Sequence, residues 1–404
     1  MEFGGLSLKE KMFEELGELL LSGDEERALE ILEKLMEEDD PEVKVASLAV
    51  VDAAMERFHR VVKEVFPLVL KIALTDSSVY VRGNALEVIG KASYKMPEMV
   101  REHLPEVVSN IKSQSSDLAW NAVVTLGWIG GSNPELVAPF MDQVGSILKS
   151  ESEVARNASA MAIGWVGGVS PKLVRKYIPQ LVKIAGSRDS EEVRLSAVDA
   201  LASVSHADAA LVEGFLEEVA LIALKEENEN IRGSALEAVI EICKFSPERA
   251  KDLISIALKS ISSNKGNISW RVVTTLGFVG AGSPDAVPYM LAELVKWLKV
   301  PKSEVKATAT LTIGWILGNN PDVSAREANG VVGAVAELLG DGSAEVRRSA
   351  VEAIGWMSAN NPRLLEKYVP VVARMASNDK DGDVKKKAEE VMEFMRERQK
   401  QCLG

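Results

Sequence analysis

The sequence predicts an all-α fold made of stacked helix pairs, and three observations carry that expectation. The first is a unit, EVRRSAVEAIGWMSANNP at residues 345–362, which the 404-residue chain restates about ten times. Within it Val346, Ala350, Val351 and Ile354 recur at helical spacing, so one apolar stripe runs down an amphipathic helix. The second is a Ser/Asn-Pro joint after that helix, found at Asn133-Pro134, Ser170-Pro171, Ser246-Pro247, Ser283-Pro284, Asn320-Pro321 and Asn361-Pro362. A polar N-cap followed by Pro at the first helical position is a capping solution, because the missing N–H has no helical partner there. The third is composition. Residues are 47% hydrophobic but only 5% aromatic, which suits many small helix-packed layers better than one large aromatic core.

Taken in order, residues 8–21 read as a helix, and Gly23-Asp24 punctuates before a second one at about 24–38. That second helix has Asp24 as its N-cap and acidic residues in its first turn, where the helix dipole favours them. Residues 1–60 carry 17 acidic and 7 basic side chains, so they supply most of the net charge of −13. A solvated end cap, which keeps a helical stack from adding another copy, explains this dense acidic face.

The restated unit then runs to the end, registered on the residues Lys44, Arg82, Ala119, Arg156, Arg194, Arg232, Ser269, Lys306, Arg347 and Lys385. Successive spacings are roughly 37–38 residues, with one of about 41 between Lys306 and Arg347, as expected of two-helix repeats. Each registering residue opens a helix, and Gly355 near the end of one such helix invites close approach by a neighbour. Each helix is followed by a partner that usually contains Pro: Pro67, Pro105, Pro139, Pro179, Pro288 and Pro370. An interior Pro bends that partner or splits off a short lead-in. In the long spacing, Gly330 and Gly333 replace the usual Pro, so a local change in curvature is expected over residues 319–340.

These features resemble HEAT repeats, which pair a bent first helix with a straight second one. The family carries an Asp in the turn and an Arg about six residues on. Asp76 with Arg82, Asp341 with Arg347 and Asp379 with Lys385 keep that pattern, and Asp189 with Arg194 is one residue shorter. Repeats three and seven depart from it, with Ala119 and Ser269 at the basic position. The resemblance implies a right-handed α–α superhelix (solenoid) of about ten HEAT-like helix pairs with an N-terminal capping helix. It covers residues 1–404 as a single array: 1–40 an acidic cap and first helix, 41–378 the repeats, and 379–404 a C-terminal capping helix and tail. A longer self-similarity lies on top, since residues 120–149 and 270–299 align without a gap, and VRGNALE at Val81 answers IRGSALE at Ile231. PKLVRKYIP at Pro171, however, best matches PRLLEKYVP at Pro362, five repeats on.

Catalytic and cofactor chemistry finds little to stand on. His59, His103 and His206 fall on different repeats, and none is followed by Glu as in the His-Glu pairs of di-iron HEAT-like enzymes. Cys243 lies on the apolar side of its helix, and with Cys402 it makes neither a disulfide framework nor a metal pattern. No Gly-rich phosphate loop follows a strand. The expectation is a non-enzymatic protein without a cofactor or metal. Two cysteines, an acidic N-terminus unlike a signal peptide, and no apolar run near the roughly 20 residues of a membrane span point to the cytoplasm.

One column suggests binding. Nine residues after the registering position stand Trp128, Trp165, Phe278, Trp315, Trp356 and, in the last repeat, Phe394. At about 100° per residue they point roughly opposite the apolar stripe. Trp120 and Trp270, one residue after that position, and Val124, Met161 and Leu311, five after it, share the outward side. In other repeats the five-after position is acidic: Glu87, Asp199, Glu237 and Glu352. HEAT second helices line a concave surface, so the resemblance implies an inner groove with aromatic and acidic zones. A protein or peptide partner carrying basic residues would meet Trp120, Trp128, Trp165, Trp270, Phe278, Trp315, Trp356, Glu237 and Glu352 there. The alternative is a nucleic-acid-processing protein resembling HEAT-like DNA glycosylases. Those enzymes have a strongly basic groove, and this chain shows no comparable Lys/Arg excess, so the electrostatic sign of the groove discriminates the two readings. A Trp near a helix end can also simply seal the joint between repeats, and its solvent exposure separates the two roles.

Overall fold

Apolar periodicity and turn chemistry decide where each helix begins and ends. In a computed structural model that describes residues 8–113, 116–263, 268–320, 325–358 and 366–403, every regular element among the described residues is helical. The first helix, Leu8–Ser22, stops at Gly23, whose φ of 81° turns the chain in a conformation that side-chain-bearing residues avoid. Asp24 then caps the helix Glu25–Glu37 by accepting a hydrogen bond from the Arg27 N–H at 3.4 Å. That helix buries Ala28, Leu32, Leu35 and Met36, one face at helical spacing, and leaves its carboxylates outside.

The chain divides into two compact units, residues 1–207 and 208–404. In the first, the registering residues open the second helices Pro41–Ala54, Val79–Lys95, Ser116–Ser132, Glu153–Val169 and Glu191–Asp208. In the second unit, the corresponding helices are Glu229–Phe245, Ile268–Gly282, Ser303–Asn319, Ala344–Ser358 and Gly382–Leu403. The apolar stripe of the founding unit is the core, with Val346, Ala350, Val351 and Ile354 fully buried. Proline acts on the partner helices in two ways. Pro67 and Pro105 lie inside the continuous helices His59–Thr75 and Pro97–Asn110. Pro179, Pro288 and Pro370 instead open a helix after a short lead-in, and Pro139 sits in a tight turn between two such pieces.

The turn Asp and the basic registering residue interlock neighbouring repeats. Each Asp accepts from the basic residue of the repeat before it: Lys44 to Asp76 at 2.5 Å, Arg156 to Asp189 at 2.6 Å, Lys306 to Asp341 at 2.7 Å and Arg347 to Asp379 at 2.7 Å. The arginines also donate to the carbonyls that close their own turn, as Arg82 does to Asp76 O at 2.6 Å and Arg347 to Asp341 O at 3.0 Å. Burial works against the charge of Asp76, but hydrogen bonds from Lys44 and the Ser78 N–H outweigh it and hold its carboxyl below the usual range. Lys306 does the same for Asp341, and Arg347 for Asp379.

The Ser/Asn-Pro joint corrects one expectation. Pro134, Pro171, Pro247 and Pro284 open their helices, but Asn133, Ser170, Ser246 and Ser283 make no side-chain capping bond. Their backbone lies near φ −134°, ψ 72–82°, and for Asn133 at −143° and 86°, away from the extended geometry of the capping residues Ser78 and Ser152. Asn133 Nδ2 instead donates to Ser93 O of the preceding repeat at 3.2 Å, and Asn320 Nδ2 to Ile316 O at 2.8 Å. Pro321 and the Asn361-Pro362 joint lie outside the described residues, as do residues 321–324 of the stretch expected to change curvature.

Cys243 is fully buried in the Glu229–Phe245 helix, and burial pushes its thiol up to about 12. The thiolate is the reactive form. A Cys402→Ser chain is therefore expected to take up no disulfide reagent at pH 8 until it is unfolded, which thiol titration with and without denaturant checks.

Candidate partner-binding surface

A glycine column stands one residue before the aromatic column, and some of its members seat rings. Gly90, Gly127, Gly164, Gly277, Gly314 and Gly355 stand eight residues after their registering positions. A methyl group on Gly127 would lie 2.6 Å from Cε3 of Trp165 and 2.7 Å from Cα of Ala162. On Gly277 it would lie 2.2 Å from Cδ1 of Trp315. Trp165 and Trp315 thus lean over the bare backbone of the preceding second helix, an approach that only glycine allows, whereas Gly164, Gly314 and Gly355 seat Ala200, Ala353 and Val391 instead.

The rings meet as a result. In the first unit Trp128 and Trp165 lie 5.7 Å apart between centroids, tilted by 56°. In the second unit Trp315 stands 6.1 Å from Phe278, 6.4 Å from Trp270 and 5.6 Å from Trp356, and Trp270 is 6.4 Å from Trp356. Tilted and edge-on contacts at these distances favour the ring quadrupoles. Trp128 is 37% exposed, and Trp270 and Phe278 are each 48% exposed. Trp120, Trp165, Trp315 and Trp356 are half-buried. The two roles weighed for the column coexist: the rings seal joints between repeats and still offer a face to solvent.

The five-after column divides. Glu87, Asp199 and Glu237 are exposed, and Glu352 is half-buried, 3.7 Å from Lys387. Met161 and Leu311 are half-buried, but Val124 is buried and does not share the outward side. It lies one turn before Gly127, so the close approach of Ala162 covers it.

A groove of about 510 Å³ opens in the second unit between the helices Glu229–Phe245 and Ile268–Gly282. Trp270, Thr274 and Phe278 line one side, Arg232, Gly233 and Leu236 the other, and Glu227, Glu229 and Arg271 complete it. Ile240 lies beyond the groove, toward the C-terminal ends of the two helices. It stands eight residues after Arg232, where six other repeats carry glycine, and its Cγ2 would be 2.8 Å from a methyl group on Gly282. A branched side chain thus occupies the seat that glycine fills in those repeats, and Gly282 makes room for it. Both arginines are tied to backbone: Arg232 donates to Glu226 O and Glu227 O at 3.1 and 3.2 Å, and Arg271 donates to Lys225 O at 3.1 Å.

The sequence placed Trp270, Phe278, Trp315 and Trp356 on one side, and the structure brings their rings together. In the first unit it brings Trp128 and Trp165 together. Arg232 and Arg271 were missed as groove residues. The Gly-aromatic pair, present at Gly127-Trp128, Gly164-Trp165, Gly277-Phe278, Gly314-Trp315 and Gly355-Trp356, is the signal that would have shown the rings half-sunk.

No helix among the described residues is long and apolar enough to cross a membrane. The HEAT repeats family matches residues 291–393. The chain is similar to a solved structure of Kap121p bound to Pho4p, with a TM-score of 0.58 and 13% identity over 92% of this chain and 45% of that one. It is similarly related to the karyopherin Kap121p bound to the extreme C-terminus of the protein phosphatase Cdc14p. There the TM-score is 0.51 and the identity 14%, over 93% of this chain and 43% of that one. The chain thus spans less than half the length of those karyopherin chains. No curated protein matches the sequence significantly. Restated helix pairs, the interlocked Asp and Arg of successive turns, and these likenesses agree: the chain has the HEAT-repeat α-solenoid fold.

Proposed function

We propose that this chain is a non-enzymatic scaffold that grips a protein or peptide through the aromatic and acidic side chains of its second helices, the concave face of a HEAT solenoid. The observation that carries the reading is the second-unit cluster, where Trp270, Phe278, Trp315 and Trp356 gather four rings within 6.4 Å neighbour distances and leave two of them about half exposed. Exposed clustered indoles are costly in water and typical of binding hot spots. Glu352, one turn before Trp356 on the same helix, and the exposed Glu237 favour basic side chains on the partner, since a cation over an indole and near a carboxylate gains from both. The similar karyopherin structures hold protein partners, which supports a protein-binding role here. Nucleic-acid processing is disfavoured by the net charge of −13 and by arginines committed to backbone carbonyls in the groove.

Affinity capture from a lysate of the source cells tests the reading. The wild-type chain is expected to retain a polypeptide, and Trp270→Ala or Phe278→Ala to lose it with a cost of about 2 kcal/mol, roughly thirtyfold in affinity. Because both rings are half exposed but also pack on Trp315, a modest fall in melting temperature is expected, with the chain still folded at the capture temperature. Unaltered capture by both variants, or retention of nucleic acid instead of protein, would overturn it.

A further inference from the structure

The gapless match of residues 120–149 with residues 270–299 extends, in the repeat register, to repeats two to five against repeats six to nine. Five residues after the registering position, the two blocks run Glu87, Val124, Met161, Asp199 and Glu237, Thr274, Leu311, Glu352. Each block therefore has a carboxylate at both ends and none between. The rings fill that interval: Trp128 and Trp165 in one block, Phe278 and Trp315 in the other, with Trp120 and Trp270 at matching places. Structure repeats what sequence repeats. Trp165 lies over Gly127 as Trp315 lies over Gly277, and the paired ring separations are 5.7 Å and 6.1 Å. Each set lies wholly within its own compact unit.

From this we infer that the chain carries two binding stations of one make, one in each unit, each taking a separate lysine- or arginine-bearing peptide segment. The inference rests on the proposed scaffold function and adds the number of sites, the partner's chemistry and the order of their strengths. Lysines partner one acidic end of each block. Lys91 pairs with Glu87 at 2.9 Å and with Asp52 at 2.6 Å, and Lys387 approaches Glu352 at 3.7 Å while hydrogen-bonded to Glu390. Glu237 is exposed at the end of its block opposite Lys387 in the repeat register. A cation laid across the rings meets indole faces on one side and a carboxylate at the margin.

The stations are unequal by one ring. At the position where the second block has Trp356, the first has Ser203. Trp356 touches both Trp315 and Trp270, so the second-unit station presents a continuous aromatic surface that the first cannot complete. A hot-spot tryptophan is worth about thirtyfold in affinity, which sets the expected gap between the two sites.

Calorimetric titration of the intact chain with a blocked nonapeptide of alternating lysine and alanine, at low salt, reads the number of sites. Two equivalents per chain are expected, differing about thirtyfold in dissociation constant. Trp128→Ala removes the weaker and Trp270→Ala the tighter, and each leaves the other in place. Both positions are exposed, and circular dichroism verifies that the variants fold. A peptide with glutamate in place of lysine is expected not to bind. One equivalent per chain, or loss of all binding in either variant, would overturn the two stations while leaving the scaffold function standing. A chain that captures a polypeptide from lysate yet ignores the lysine peptide would overturn the cationic class. A chain that captures no polypeptide marks failure of the scaffold reading itself.

Discussion

Arg347→Ala is expected to cost about 3 kcal/mol, read as a loss of roughly a hundredfold in amide hydrogen-exchange protection across the helices Ala344–Ser358 and Gly382–Leu403. The side chain holds two repeats at once. Its Nε and Nη2 donate to the Asp379 carboxylate at 2.9 and 2.7 Å, and its Nη1 donates to Asp341 O and Gly342 O at 3.0 and 3.3 Å. Both partners are largely shielded, with side-chain exposures of 13% and 7%, so truncation strands a carboxylate away from water. Replacing both by apolar residues, as in Arg347→Met with Asp379→Leu, is expected to cost far less, because no charge is left unpaired. Equal losses in the single and double variants would show that the link contributes only packing.

The same link fixes how stability depends on pH. Asp379 and Asp341 are held below their usual range mainly by hydrogen bonds from Arg347 and Lys306, and Asp76 by Lys44 and the Ser78 N–H against the opposing effect of burial. For carboxyls depressed in the folded state, the stabilisation is fully present above the unfolded-state value, about 3.9. It is lost as pH falls through the lower folded-state values. Wild-type stability is therefore expected to drop below about pH 4, and Arg347→Ala to drop less steeply there.

Much of this architecture can be read from spacing. Val346, Ala350 and Ile354 reveal a helix because burial follows a 3.6-residue period, and Asp341 six residues before Arg347 reveals the turn that the arginine closes. The partner of that arginine's other nitrogens, Asp379, sits one repeat away, so the interlock needs the stacking that only the fold supplies. Capping failed as a sequence rule at Asn133. A local motif names a donor and acceptor, but the backbone at the joint turned the amide toward Ser93 of the previous repeat. The exposure of the rings was likewise invisible in any one repeat. Trp120 and Trp270 occupy matching positions, yet one is half-buried and the other 48% exposed. Trp270 opens onto the groove beside Arg232, Gly233 and Leu236, a surrounding that its own repeat does not encode.

Glycine substitutions separate these contributions, and the largest effect is expected at Gly314. A methyl group there would lie 2.6 Å from both Cα and Cβ of Ala353 and 3.2 Å from its carbonyl oxygen. Backbone atoms have no rotamer by which to escape, so the helices Ser303–Asn319 and Ala344–Ser358 must part. Overpacking of this kind costs about 1–3 kcal/mol or more, against a gain of about 1 kcal/mol from alanine's better helix propensity. Gly314→Ala is accordingly expected to destabilise the chain by about 2 kcal/mol in urea. Gly330→Ala is its control. That residue, in the helix Ala325–Glu337, has nothing within 4 Å of the added methyl, so the propensity gain stands alone and about 1 kcal/mol of stabilisation is expected. Gly277→Ala falls between them in stability, since the atoms it meets belong to the Trp315 ring, which can swing outward. Its distinguishing sign is optical: the displaced indole is expected to shift its fluorescence to the red and become open to iodide quenching. Equal stabilisation in all three variants would mean that the second helices do not pack through their glycines.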